Sequence, residues 1–104
     1  MYKITVVQTR PNLSVDFWTK DHPALTAEYL EYYRNTYIIT GKHLAFNTDV
    51  SFDNLSMTTA LIWDSEASAI AWKQDPTCIA GFFEPQSAHF EATGISISRT
   101  TEEI

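Results

Sequence analysis

The stretch Met57-Thr-Thr-Ala-Leu-Ile-Trp63-Asp-Ser-Glu-Ala-Ser-Ala-Ile-Ala-Trp72 decides the fold. Its first seven residues are apolar or β-branched and end in an aromatic, the composition of a strand packed on at least one face. Asp64 follows as a helix cap, with Glu66 in the first turn, where the helix dipole favours a negative charge. One tryptophan therefore closes a strand and the other lies along the next helix. That placement lets both line one apolar pocket.

Working outward, Tyr2, Ile4 and Val6 alternate along residues 2–10 and predict a first strand, ended by Pro11 and Asn12. After a loop carrying Phe17 and Trp18, Asp21-His-Pro23 predicts a helix start, with the helix running to about Asn35. Leu25, Tyr29, Leu30 and Tyr33 form its buried stripe, with Glu28 and Glu31 outside it. Residues 37–50 predict a long strand with a bulge or bend at Gly41, and Phe52-Asp-Asn-Leu55 turns the chain into the strand ending at Trp63. Beyond Trp72, Asp75-Pro76 is a second cap pair, Pro85 interrupts the helical region and Gly94 ends it. Ile95 to Arg99 gives a fourth strand, and Thr100 to Ile104 a loose polar tail.

The order is β-α-β-β-α-β, an α+β ferredoxin-like unit: one four-stranded antiparallel sheet with helices on one face, filling residues 1–104 as a single domain. The uncovered face is expected to be apolar as well, because Val7 opposes Val6, and Ala60 and Ile62 oppose Leu61 and Trp63. A sheet apolar on both faces needs a cover. A homodimer packed through the open sheet face supplies one.

Leu61-Ile-Trp63-Asp-Ser-Glu-Ala67 and the helix reaching Trp72, in this element order, resemble the dimeric α/β-barrel superfamily, in particular its antibiotic biosynthesis monooxygenase-like domains. The resemblance spans nearly the whole chain in element order and rests on that short motif. It implies a dimeric α/β barrel. Members include cofactor-independent oxygenases of aromatic polyketides, haem-degrading monooxygenases, small-molecule cyclases and domains without an assigned function. The haem-degrading branch places an Asn on the first strand, a Trp on the helix after the Trp-ended strand and a His one helical segment further. Trp72 matches the tryptophan. Gln8 is the nearest amide to the first position, and Phe82, beside Phe83, stands where the histidine would fall. Without an imidazole for iron, haem chemistry loses its central requirement, and no cofactor is expected. Many other members carry a His where this chain has Trp72, so a proton-transfer group is missing there as well.

Composition narrows the partners. A formal charge of −6, with seven basic residues scattered singly, repels phosphate backbones and anionic membrane surfaces, so neither nucleic acid nor membrane is an expected partner. The longest apolar run, Ala60 to Trp63, is far short of a bilayer span, and no signal-peptide core precedes the first strand. The single cysteine, Cys78, forms no intrachain disulfide. Together these predict a soluble, cytoplasmic protein. No pair of histidines has metal-ligand spacing, and no metal site is expected.

Aromatic residues make up 13% of the chain and outnumber the identifiable reactive groups. The expected ligand-binding wall is Trp63, Trp72, Phe82, Phe83, Tyr33 and Leu61, with Arg10 or His43 at its polar end. The same aromatics also serve as ordinary core. For proton transfer the candidates are His43 and His89. His43 shares an expected strand face with Ala45 and Asn47, while His89 lies in the late helix; His22, Asp64 and Asp75 are read as helix caps. The leading expectation is a small-molecule binding domain that holds an elongated apolar or aromatic ligand between sheet and helices. Two alternatives stand beside it: a cofactor-independent monooxygenase or cyclase acting on an aromatic, polyketide-like substrate, and a structural dimer of unassigned function.

Overall fold

Four strands, β1 (Tyr2–Thr9), β2 (His43–Val50), β3 (Ser56–Trp63) and β4 (Ser96–Glu103), make one antiparallel sheet in a computed structural model describing Met1–Ile104. The strand order is β2-β3-β1-β4, with β1 and β3 in the middle. Helix α1 (Ala27–Tyr33) runs on into a π-helical turn, Arg34–Ile38. Helix α2 (Glu66–Gln74) is followed by α3 (Pro76–Cys78), a second π turn over Ile79–Phe83, and α4 (Glu84–Thr93). This is the ferredoxin-like α+β arrangement. No helix is long and apolar enough to cross a membrane.

Strand registers assign the two sheet faces. Tyr2 pairs with Trp63, Ile4 with Leu61 and Gln8 with Met57, so these side chains share the helix-covered face, where Ile4, Met57 and Trp63 are buried. The opposite face carries Val7, Ala60 and Ile62 at its centre, flanked by Thr5, Thr58 and Thr100. It is therefore small and mixed in chemistry, less apolar than the alternation of Val and Ile suggests.

Several boundaries differ from the sequence expectation, each for a local reason. The first helix starts at Ala27, because the Thr26 hydroxyl caps it by accepting from the Tyr29 N–H at 3.1 Å. Asp21-His-Pro23 lies instead in tight turns, where His22 Nδ1 accepts the Ala24 N–H. The helix also continues through Tyr37, which is buried, so residues 37–42 are not strand. Tyr-Ile-Ile has strand-like propensity, and packing of the Tyr37 ring overrides it. Leu30 is 40% exposed; the inward ladder is Tyr29, Tyr33 and Tyr37, with ring centroids 6.1 and 5.5 Å apart.

Gly41 is a turn residue with φ +76°, and the bulge falls at His43/Ala45. That bulge reverses the expected face of His43, which pairs with Trp63 and turns toward the helices, away from the face of Ala45 and Asn47. The cap of α2 is Ser65 rather than Asp64, with its hydroxyl accepting from the Ser68 N–H at 3.2 Å. Asp75 does cap α3, and Gly94, at φ +76°, does end α4. Pro85 breaks nothing, because it sits in the first turn of α4, where the preceding π turn accommodates it. The tail is not loose either: β4 extends to Glu103, opposite Tyr2, and the Ile104 N–H donates to the Met1 carbonyl at 2.9 Å.

Gly81, in the second π turn, lies against Tyr29 so closely that an added Cβ would stand 2.5 Å from Cδ1 and 2.8 Å from Cγ of that ring. The phenol ring is held by the rest of the tyrosine ladder and cannot simply swing away. Gly81→Ala is therefore expected to cost about 1–3 kcal/mol of stability by overpacking, read as a lower urea midpoint at unchanged slope. A midpoint equal to that of the parent protein would show that the helix does not pack as described.

Candidate functional site

The helix-facing end of β3 carries the densest aromatic cluster in the chain. Trp63 has no exposed surface and Trp72 is 5% exposed, with their rings 5.0 Å apart. Trp72, from α2, meets Phe83 at 4.8 Å and Phe82 at 5.7 Å, both from the second π turn. Leu61 lies two residues before Trp63 on the same strand face and is half-buried, as are Phe82 and Phe83. Offset and edge contacts of this kind add about 0.5–1.5 kcal/mol per pair beyond area burial. Trp63, Trp72, Phe82 and Phe83 are thus brought together from β3, α2 and the second π turn, while Tyr33, from α1, lies against Tyr29, Tyr37 and His43. Single π turns inside helices recur at functional sites, and here one presents both phenylalanines.

His43 belongs to this cluster. Its ring stacks on Trp63 at 4.7 Å with an interplanar angle of 17°. The Tyr33 hydroxyl and His43 Nδ1 form a short hydrogen bond, and Nε2 lies 3.1 Å from the Ala45 carbonyl oxygen. A carbonyl only accepts, so Nε2 carries the proton and Nδ1 accepts from Tyr33. Burial lowers the His43 pKa, only partly opposed by the Ala45 hydrogen bond, so the ring is neutral at pH 7. Burial likewise raises the pKa of Tyr33.

Arg10 and His89 lie elsewhere. Arg10 follows β1 at the end opposite Tyr2 and Trp63, a strand length on the order of 25 Å away. There its Nε donates to the Asn54 carbonyl and its Nη1 to the Val15 carbonyl, both at 2.8 Å, and its guanidinium lies over Phe17. His89 Nε2 donates to the Asp16 carbonyl at 2.7 Å, beside Trp18 and His22. Burial, with His89 adding and Asp16 opposing, draws His22 below the ordinary imidazole range.

Three further groups shape the site in ways that the sequence reading did not assign to them. Trp18, read as a loop residue, is 3% exposed and packs against Phe82 at 5.8 Å. Gln8 fixes it: the Trp18 N–H donates to Oε1 and Nε2 donates to the Trp18 carbonyl, each at 2.8 Å. The signal for this was an amide at an inward position of the Tyr2-Ile4-Val6-Gln8 alternation, since a buried amide demands partners. Asp75 is more than a cap, because the hydroxyls of Tyr32 and Tyr37 both donate to its Oδ2 at 2.6 Å. The clamp joins α1 and its π turn to α3. Close by, burial pushes the Cys78 thiol up to about 11, so it is not a nucleophile at neutral pH.

The indole N–H groups of Trp18, Trp63 and Trp72 are buried and make no well-aligned hydrogen bond within the protein; that of Trp72 faces the Tyr29 hydroxyl, and those of Trp18 and Trp63 have no acceptor. Each such donor costs about 1–3 kcal/mol when left unpaired. Two surface depressions of about 320 and 610 Å³ lie elsewhere, one beside Arg10 and His22, the other between Tyr29 and Pro76. Neither is lined by the tryptophans. No three His, Cys, Asp or Glu side chains converge as a metal-binding group would.

No protein-family model matches the chain, and no curated protein does either. Solved structures do. One is an antibiotic biosynthesis monooxygenase candidate from Deinococcus radiodurans, at 9% identity and a TM-score of 0.57 over 100% of this chain and 92% of that one. A second is SnoaB, a cofactor-independent oxygenase from Streptomyces nogalater, at 9% identity and a TM-score of 0.59 over 99% and 91%. A third is a dimeric ferredoxin-like protein from an uncultured marine organism, at 8% identity and a TM-score of 0.60 over 99% and 94%. At such identities the likeness is one of fold alone, the ferredoxin-like α+β arrangement.

The Asp75 clamp has a pH signature. Desolvation works to raise the carboxyl pKa, but the hydrogen bonds from Tyr32, Tyr37 and the Thr77 and Cys78 backbone together outweigh it and hold the group below the usual carboxylate range. A depressed folded pKa contributes stability that is present above the unfolded value, near 4, and lost as pH falls through the folded one. Asp75→Asn should therefore destabilise by about 1 kcal/mol at pH 7, with the deficit shrinking in urea melts below about pH 4. A deficit equal at pH 7 and pH 3 would contradict the clamp.

Proposed function

We propose that the chain binds an apolar or aromatic small molecule carrying an acceptor oxygen, in the layer between sheet and helices. Trp63, Trp72, Phe82, Phe83, Tyr33 and Leu61 form the wall, and His43 the polar end. The observation that carries this reading is the set of three buried indole donors without a well-aligned protein hydrogen bond, with Phe82 between Trp18 and Trp72 and with Trp63 packed on Trp72. A carbonyl or phenolic oxygen placed there would pair a donor that costs free energy unpaired. Entry requires Phe82 and Phe83 to shift, and both sit half-buried on a π turn rather than on a regular helix. Arg10, at the far end of β1, takes no part.

The functional unit in this reading is a cytoplasmic homodimer joined through the open sheet face, where Val7, Ala60 and Ile62 supply the apolar centre and the threonines the rim. The dimeric ferredoxin-like protein of like fold supports this assembly. A second reading, a cofactor-independent monooxygenase acting on an aromatic substrate, is favoured by the Tyr33–His43 pair, since a neutral imidazole behind a phenol can take up a substrate proton through that hydroxyl. The fold shared with SnoaB supports it too. A structural dimer without a ligand is favoured by the close packing of the two tryptophans.

Native mass spectrometry of the purified protein tests assembly and ligand together. The expected spectrum shows a dimer retaining a small organic compound, which solvent extraction releases and Phe83→Ala depletes. A monomer would overturn the dimer. A bare protein that also fails to change tryptophan fluorescence with any of a panel of fatty acids and polyphenols would overturn the binding reading.

A further inference from the structure

We propose that Tyr33 is a one-electron redox site whose phenolic proton passes to His43 as the electron leaves. The motive is the way three rings are fixed together. The Tyr33 hydroxyl is hydrogen-bonded to His43 Nδ1, and the Ala45 carbonyl holds the proton of that imidazole on Nε2. Trp63, fully buried, lies flat against the imidazole and keeps it from turning. Oxidised phenols are strong acids, so a phenol gives up its electron most readily where a neutral base already holds its hydrogen bond. The lowered His43 pKa keeps Nδ1 free to accept at neutral pH, and the raised Tyr33 pKa keeps the phenol protonated until it is oxidised.

The other tyrosines are less suited. Tyr32 and Tyr37 donate to one shared oxygen of Asp75, whose carboxyl is held below its usual range. Ordinary imidazole and carboxylate differ by roughly 2.5 pKa units as proton acceptors, in favour of His43. Trp63 and Trp72 extend the ring contacts from His43 toward Phe83 and provide a route for the electron. The Trp63 N–H has no acceptor and the Trp72 N–H faces only the Tyr29 phenol, a very weak base, so an oxidised indole there keeps its proton and the oxidised state settles on Tyr33.

In the step itself, the O–H bond of Tyr33 breaks and an N–H bond forms at His43 Nδ1. One electron goes to a diffusing one-electron oxidant, an organic peroxyl or phenoxyl radical. The products are a neutral tyrosyl radical, the His43 imidazolium and the reduced oxidant as its anion. The titratable group facing His43 is Tyr33 from α1; Trp63 from β3 carries no charge, and Lys42, the preceding residue, directs its Nζ over the Tyr37 ring at 6.0 Å. The step needs no ligand, so its failure would leave the binding reading standing.

Flash oxidation of the ligand-free protein by a photogenerated ruthenium(III) polypyridyl complex tests it, read by transient absorption and freeze-quench electron paramagnetic resonance. The parent protein should give a tyrosyl signal, Tyr33→Phe should lose most of it in favour of a tryptophan signal, and Tyr37→Phe should keep it. His43→Gln should slow tyrosyl formation by about a hundredfold, the scale of a positioned proton acceptor. In the parent protein the rate should hold through neutral pH and fall only as pH drops below the ordinary imidazole range, because burial lowers the pKa at which Nδ1 takes up a proton. An undiminished tyrosyl yield in Tyr33→Phe, or a parent rate unchanged at a pH where NMR shows the His43 ring protonated, would overturn the proposal. Should His43→Gln fail to fold, the contrast between Tyr33→Phe and Tyr37→Phe and the parent pH profile decide alone.

Discussion

Trp63 is shut off from solvent at the end of a central strand, and most of the helical layer is arranged around it. An indole of this size buries on the order of 200 Å², so its removal would cost about 3–5 kcal/mol, a large share of the stability of a small domain. Its faces and edges set the positions of the other rings. Trp72 covers it from α2, Tyr37 meets it edge-on from the first π turn, and His43 stacks on it from β2. Fixing His43 then fixes the Tyr33 hydroxyl. One hydrophobic burial thus becomes a precise polar geometry.

The sequence was most legible where two signals agreed. Met57 to Trp63 had both strand composition and a following cap region, and Asp75-Pro76 and Gly94 had unambiguous backbone chemistry; all appear where expected. Legibility failed where a residue had two possible uses. Asp21-His-Pro23 is good cap chemistry used in turns, while Thr26, a plainer cap, starts the helix. Tyr37-Ile-Ile39 has strand propensity but belongs to the helical region, because the Tyr37 ring finds Trp63 and its hydroxyl finds Asp75. Single-residue irregularities were the least visible. A one-residue bulge after His43 reverses which way that side chain points, and no composition signal marks it.

That Trp63, Trp72, Phe82 and Phe83 lie close together could be read from spacing, whereas the polar contacts around them could not. The hydrogen bonds of Tyr32 and Tyr37 to Asp75 join residues 43 and 38 positions apart in sequence, and only the folded topology brings them together. Arg10 shows the converse: a chemically sensible anchor at the end of the right strand proves to be at its wrong end. The resulting site is rich in apolar walls and buried donors and poor in free bases, since both nitrogens of His43 are engaged. Any proton chemistry at this cluster is thereby confined to the Tyr33–His43 pair.

The central claim is that stacking on Trp63 holds His43 neutral, with Nδ1 turned to the Tyr33 hydroxyl. Nitrogen-15 NMR of histidine-labelled protein at pH 7 tests it most directly. His43 should show the neutral Nε2–H tautomer, with an unprotonated, hydrogen-bonded Nδ1. An imidazolium pattern at that pH, or a proton resident on Nδ1, would contradict it.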